Sequence, residues 1–238
     1  MILLSVQLAL PLNVQASPIL AGAAGAKTDP HMSNEIIISA IDNEKYLPSV
    51  AYNTTHNEYL VVWQTTWAGG ALCCRDIRGQ RVSAQGQLLG GEFIIYENAT
   101  KDSAQPSVAY DSVNDRYLVT FIFDTSGTNT DWDLYGRLVP WNGVSASYAA
   151  FPIITWTTSQ RNPQVVYAGG IQQEFFVVWS NTYAAGTPAA YISGKRILPD
   201  GSFPSAGSDS TISDPAVNFI NPDVSFNLAR NEYLVVWD

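Results

Sequence analysis

Four copies of one pattern run through this chain. Pro48-Ser49-Val50-Ala51-Tyr52 followed by Glu58-Tyr59-Leu60-Val61-Val62-Trp63 returns as Pro106-Ser107-Val108-Ala109-Tyr110 with Arg116-Tyr117-Leu118-Val119-Thr120-Phe121. It returns again from Pro163 to Trp179 and from Pro222 to Trp237. The closing aromatics Trp63, Phe121, Trp179 and Trp237 stand 58 residues apart each time. A fixed period of this length means stacked supersecondary units, each too small to bury its apolar face alone.

The unit reads as a β-meander. Two runs of Val, Tyr and Trp flank a polar turn such as Asn53-Thr54-Thr55-His56-Asn57, which is a hairpin pattern without helical period. Third strands are predicted at Asp76–Val82, Asp133–Val139 and Tyr191–Ile197, and fourth strands at Phe93–Tyr96, Pro152–Ile154 and Ser210–Ile212. Four strands per repeat, packed radially through large aromatics, make a propeller blade. The expected fold is an all-β, four-bladed β-propeller with blades of about 58 residues. Trp63, Phe121, Trp179 and Trp237 are its expected blade core.

The sequence finishes at Trp237-Asp238, after a second strand. Glu35-Ile36-Ile37-Ile38-Ser39 matches the fourth-strand position, because Ile38 precedes Ile212 by 174 residues, three periods. Leu4–Pro11 lines up with the third strand at Ile192–Pro199. One blade is therefore expected to be split between the two ends, with residues 1–34 as an N-terminal segment and 35–238 as the propeller. Pairing the ends would remove exposed sheet edges. A second reading has Ile2–Leu10 donated across the long link to a neighbouring copy, giving a head-to-tail filament. A third takes residues 1–26 as a secretion signal ending in the small residues Ala21–Ala26, although a basic leading region is missing.

Composition narrows the function. The 238 residues carry a net charge of -9 with their 12 Lys and Arg scattered, so nucleic acid is not an expected partner. No run approaches the roughly 18 apolar residues of a membrane span. No phosphate loop, His-Glu zinc motif or nucleophile elbow occurs, and His31 and His56 read as linker and turn residues. No catalytic constellation and no cofactor are expected. A carboxylate pair for glycoside hydrolysis is left open, since any two blades could present one across the axis.

Several smaller features suggest sites. The loop Asp124–Asp133 is dense in oxygen, and Asp124, Asp131 and Asp133 are candidate ligands for calcium. Asn53 and Asn98 begin glycosylation sequons in turns. Cys73 and Cys74 are adjacent, either as two thiols or as a strained vicinal disulfide. Trp67, Trp132, Trp141 and Tyr183 lie in or beside loops, where rings either cap the blades or stack on a ligand.

The Pro-Ser-Val-Ala-Tyr and Tyr-Leu-Val-Val-Trp runs, joined to Asp76-Ile77-Arg78-Gly79-Gln80-Arg81-Val82 and the Gly86–Phe93 stretch, resemble a propeller-like repeat of large secreted and cell-surface proteins of bacteria and archaea. The resemblance covers nearly everything beyond residue 34. It implies an extracellular or cell-surface adhesive or structural module without shared enzymatic activity, whose partners are further copies of itself or a surface protein or glycan. Tyr191 departs from the pattern where Asp76 and Asp133 stand. A lectin or a carbohydrate-active enzyme is the alternative.

Overall fold

The computed structural model describes residues 35–41, 43–66, 74–143, 148–182, 190–204 and 209–238, with the backbone of 4–6. The described residues form sixteen antiparallel strands. Three four-stranded meanders follow one another. The first contains β3 (Glu44–Asn53), β4 (Glu58–Thr66), β5 (Arg75–Ser83) and β6 (Leu88–Tyr96). The second contains β7 (Ser103–Asp111), β8 (Arg116–Asp124), β9 (Trp132–Pro140) and β10 (Phe151–Ile154), and the third β11 (Ser159–Ala168), β12 (Glu174–Thr182), β13 (Tyr191–Ile197) and β14 (Asp209–Thr211). Two-stranded sheets stand at either end: β1 (Leu4–Val6) with β2 (Ile36–Ser39), and β15 (Asp223–Asn227) with β16 (Glu232–Val236).

Local chemistry explains the hairpins. The side-chain oxygen of Asn53 accepts from the N–H groups of Thr55 and His56, Asp111 does the same for Val113 and Asn114, and Asn227 for Ala229 and Arg230. Each turn then closes through a left-handed residue at Asn57, Asp115, Gln173 or Asn231. Asn and Asp tolerate that conformation because their short polar side chains bond locally. The third repeat has Ala168 in place of the capping Asn or Asp and uses Gly170, at φ 68°, within the turn.

Between the sheets, packing repeats with the period. Ile95 joins Val119, Phe121 and Val139 of the next sheet, while Ile153 joins Val177, Trp179 and Ile197. Ile38 of β2 joins Val61, Trp63 and Val82 in the same way. Basic residues of the third strands clamp the seams, Arg137 donating to the carbonyl of Ile95 and Lys195 Nζ to that of Ile153 at 2.9 Å. A Cβ on Gly79 would lie 2.9 Å from Ile95 and one on Gly194 2.6 Å from Phe176, so the third strands need glycine where large side chains cross them. In β1 that position is Val6.

The register of β1 and β2 is that of a third and a fourth strand. Leu4 pairs with Ser39, then the register slips, then Ser5 pairs with Ile37 and Val6 with Ile36. Ile77 with Tyr96, Arg78 with Ile94 and Gly79 with Phe93 repeat the sequence, slip included, and Leu134 with Ile154 opens it again in the second sheet. The expected continuous split blade is not formed, however: β1–β2 and β15–β16 are separate sheets. Trp237 departs from expectation too. Trp63, Phe121 and Trp179 are fully buried, each beside a third strand, whereas among the described residues no third strand lies next to Trp237, which is 38% exposed. Among the described residues no helix is long and apolar enough to cross a membrane.

Candidate functional site

The first strand of every repeat carries a break at the same place. In β3, Tyr46 pairs with Gln64 and Ser49 with Val62, so Leu47 and Pro48 together oppose Trp63 alone. Gln105-Pro106 oppose Phe121 and Asn162-Pro163 oppose Trp179 in the same fashion, and just before β15 Asn221-Pro222 oppose Trp237, between the Asp223–Val236 pair and the mutual main-chain bonds of Ile220 and Asp238. These are β-bulges, one of the few places where a strand accepts proline, which has no N–H to give the ladder. The residue before each proline is left-handed, with φ 50° at Leu47, 54° at Gln105, 51° at Asn162 and 51° at Asn221. Backbone strain of this kind gathers at ligand-binding positions.

The four bulges converge on one cavity of about 460 Å³, lined by Leu47, Pro48, Ser49, Gln105, Pro106, Asn162, Pro163, Gln164, Asn221, Pro222 and Asp223. A relay of hydrogen bonds holds its wall. Gln64 Oε1 accepts from the N–H of Gln105 at 2.9 Å, Gln105 Oε1 from that of Asn162 at 2.8 Å, and Asn221 Oδ1 from the Asn162 side chain at 2.6 Å. Below it, Ser49 Oγ accepts from the N–H of Val108 and Ser107 Oγ from that of Val165, while Ser107 also donates to Gln164. Each repeat thus fixes the main chain of the next. The lining mixes uncharged amides and a serine with Leu47 and four prolines, and its one charged residue is Asp223, whose Oδ1 accepts from the N–H of Val224. Amides, a hydroxyl and proline rings can bond to hydroxyl groups and pack on the C–H faces of a ligand, but one carboxylate supplies only half of an acid and base pair.

The calcium candidates are not gathered into a site. Asp124 accepts from Ser126 Oγ at 2.7 Å and from the N–H of Asn129 at 2.7 Å, while Asp131 Oδ2 accepts from Thr125 Oγ1. Asp133 is buried in β9, and burial pushes its carboxyl above the usual range. Among the described residues no group of three or more His, Cys, Asp or Glu is placed to hold a metal ion. The oxygens of Asp124 and Asp131 answer the loop's own N–H and O–H groups instead, while Oδ1 of Asp133 is buried without a hydrogen-bond partner among the described residues.

Other candidates divide clearly. Asn53 is fully buried as the turn-forming residue, turned towards the Tyr117 hydroxyl, so its amide nitrogen is out of reach of a glycosylating enzyme. Asn98 is half-buried, its oxygen engaged by Thr100. Trp132 is buried against Ala104 and Ile122 beneath Arg161, and it caps the sheet. Cys73, Trp67, Tyr183 and His31 lie outside the described residues, and with Cys73 goes the question of a Cys73–Cys74 bridge. The repeat pattern begins at each proline, so of the lining residues Leu47, Gln105, Asn162 and Asn221 fall outside it. The position before it varies as Leu, Gln, Asn and Asn, and the two Asn-Pro pairs were the available signal of a turn inside a strand.

No family model and no curated protein matches the sequence. Among solved structures the fold is similar to an endo-arabinase from Bacteroides thetaiotaomicron (TM-score 0.58, 12% identity, 87% of this chain and 75% of that one). It is similar also to an α-L-arabinanase from Penicillium chrysogenum complexed with arabinobiose (0.55, 16%, 81% and 52%) and to a Hadza microbial sialidase (0.54, 12%, 76% and 39%). The chain thus spans about half of that arabinanase and well under half of the sialidase. At these identities the likeness concerns the fold: this chain is an all-β, propeller-like array of antiparallel sheets.

Proposed function

We propose that this chain is a non-catalytic binding module of the extracellular space or cell surface, which holds a neutral polyhydroxylated ligand, such as a saccharide segment, in the cavity where its four bulges meet. The lining carries the reading: Gln105, Asn162, Gln164, Asn221 and Ser49 offer neutral donors and acceptors, and four prolines offer flat apolar faces. Glycoside hydrolysis needs two carboxylates roughly 5–9.5 Å apart, and Asp223 has no acidic companion in this lining. The likeness to sugar-acting enzymes is one of fold, which leaves chemistry to the site. In the same reading the array has four blades, the fourth shared between β15–β16 and a β1–β2 pair.

Calorimetric titration of neutral oligosaccharides into the protein tests this. Binding should weaken at least tenfold in Gln105→Ala and Gln164→Ala, with the melting temperature of Gln164→Ala near that of the parent and that of Gln105→Ala lowered by loss of the acceptor for the Asn162 N–H. Release of reducing ends from those oligosaccharides by the purified protein, lost in Asp223→Asn, would overturn it.

A further inference from the structure

The hydrogen bonds that build the cavity wall decide which polar atoms are left for a ligand. The side-chain oxygen of Gln105 accepts from the main-chain N–H of Asn162, and only the oxygen end of an amide can do so, which fixes the orientation of the group. In Gln164 the oxygen accepts from Ser107, whose Oγ already takes the N–H of Val165 and passes its own proton on. Ser49 Oγ likewise accepts from the N–H of Val108 and keeps its proton to give. Among the described residues no acceptor meets the amide nitrogen of Gln105 or Gln164. The wall therefore consumes oxygens and leaves hydrogens, so that each of the first three repeats contributes unspent donors. The fourth repeat supplies the opposite: Asp223 Oδ1 is bonded to the N–H of Val224, and Oδ2 remains an acceptor. Leu47 and four prolines make up the apolar part of the lining.

We propose that this cavity selects an acetamido group, so that the saccharide it holds is an N-acetylated one. The inference rests on the saccharide-binding reading above and names the substituent that marks the ligand. A hydroxyl brings a proton with its oxygen and asks for acceptors as often as donors, whereas an amide carbonyl brings two lone pairs and no proton. Gln105, Gln164 and Ser49 suit that carbonyl oxygen, Asp223 suits the amide N–H, and the methyl group packs on Leu47 and the proline rings. A plain sugar hydroxyl in the same place would lie against apolar surface and leave donors unanswered. Charge points the same way: among the described residues no Lys or Arg lines the cavity, so an acidic sugar would meet Asp223 with no cation to offset the repulsion.

Matched probes that differ in this one substituent give the test. Tri-N-acetylchitotriose is titrated into the full chain against cellotriose, and N-acetyllactosamine against lactose, by calorimetry. The acetylated member of at least one pair should bind about tenfold more tightly or better, as a site built to bond a group rejects the analogue that lacks it. Gln105→Glu and Gln164→Glu keep the oxygen that the wall uses and exchange the –NH2 for an acceptor. Either should abolish the preference at an unchanged melting temperature, and a preference that survives in both overturns the proposal. Equal binding within both pairs overturns acetamido selection and leaves the saccharide reading standing. Tighter binding of the fully deacetylated chitosan trisaccharide than of its acetylated form overturns it as well, since Asp223 would then be reading an ammonium group. Binding of none of these probes, nor of the neutral oligosaccharides above, overturns both readings.

Discussion

The imidazole of His56 lies flat on the indole of Trp141, ring centroids 3.8 Å apart and planes 10° from parallel. The two residues belong to different sheets. His56 turns β3 into β4, and Trp141 follows β9. The contact therefore pins the rims of two repeats together, and His56 Nε2 meets Asp115 Oδ2 at 2.8 Å in the same seam. Tyr110 donates to the other oxygen of Asp115, and burial pushes that hydroxyl up to about 12, so it remains a donor throughout the physiological range. Arg81 completes the stack over Trp141 while forking onto Glu58. A double-mutant cycle on His56→Ala and Trp141→Ala should give a coupling of about 0.5–1.5 kcal/mol by urea denaturation, the usual worth of an aromatic pair beyond its area.

The repeat aromatics should separate by environment. Trp179 is buried, with its indole N–H donated to Asn181, so Trp179→Ala should cost about 3–5 kcal/mol as a cavity-forming change. Trp237→Ala should cost under about 1 kcal/mol in dilute solution, where its partly exposed ring leaves no cavity. Equal losses in the two variants would contradict the difference in burial.

Left-handed backbone at Leu47 gives a prediction of opposite sign. A β-carbon in that conformation costs about 1–2 kcal/mol, and Asn, already present at the equivalent positions 162 and 221, relieves part of it by local bonding. Leu47→Asn should stabilise the protein by about 0.5–1 kcal/mol, and Asn162→Leu should destabilise it by at least as much. Thermal melts of the two variants provide the check.

Asp133 should cost stability at neutral pH. Burial raises its folded pKa above the ordinary 3.8, with the charge of Asp131 adding to the effect and a Thr125 hydrogen bond opposing it. The folded state therefore holds this proton to higher pH than the unfolded state does. Stability from the group is full below pH 3.8 and falls as pH rises through the folded value. Asp133→Asn should be more stable than the parent by on the order of 1 kcal/mol at pH 7. The gain should vanish towards pH 3.8, read from denaturation curves across the range.

What the sequence carried most clearly was the meander, because period-two apolar runs and Asn or Asp turns are local signals that need no knowledge of the neighbours. The register of Leu4–Val6 against Ile36–Ser39 was legible as well, through the distance of three periods from Ile38 to Ile212. The cavity was not. Its wall is set by φ at Leu47, Gln105, Asn162 and Asn221, and a bulge leaves no mark in an apolar pattern beyond the proline that follows it. Exposure of Trp237 was hidden for a related reason: its own sentence matches that of Trp179, and the difference lies in which strands stand beside it. The Asp-rich loop misled in the other direction, since oxygen density does not reveal whether those oxygens face a cation or their own backbone.

The bulge before each proline separates two tasks that a strand usually combines. Left-handed main-chain geometry sets where the side chain at 47, 105, 162 or 221 is presented, and at 105 and 162 a side-chain amide oxygen of the previous repeat holds it by accepting the N–H. Leu, Gln and Asn already occupy the same socket. The residue presented to the cavity can accordingly be changed one position at a time, like letters in a fixed frame, with the surrounding sheets left to carry the load.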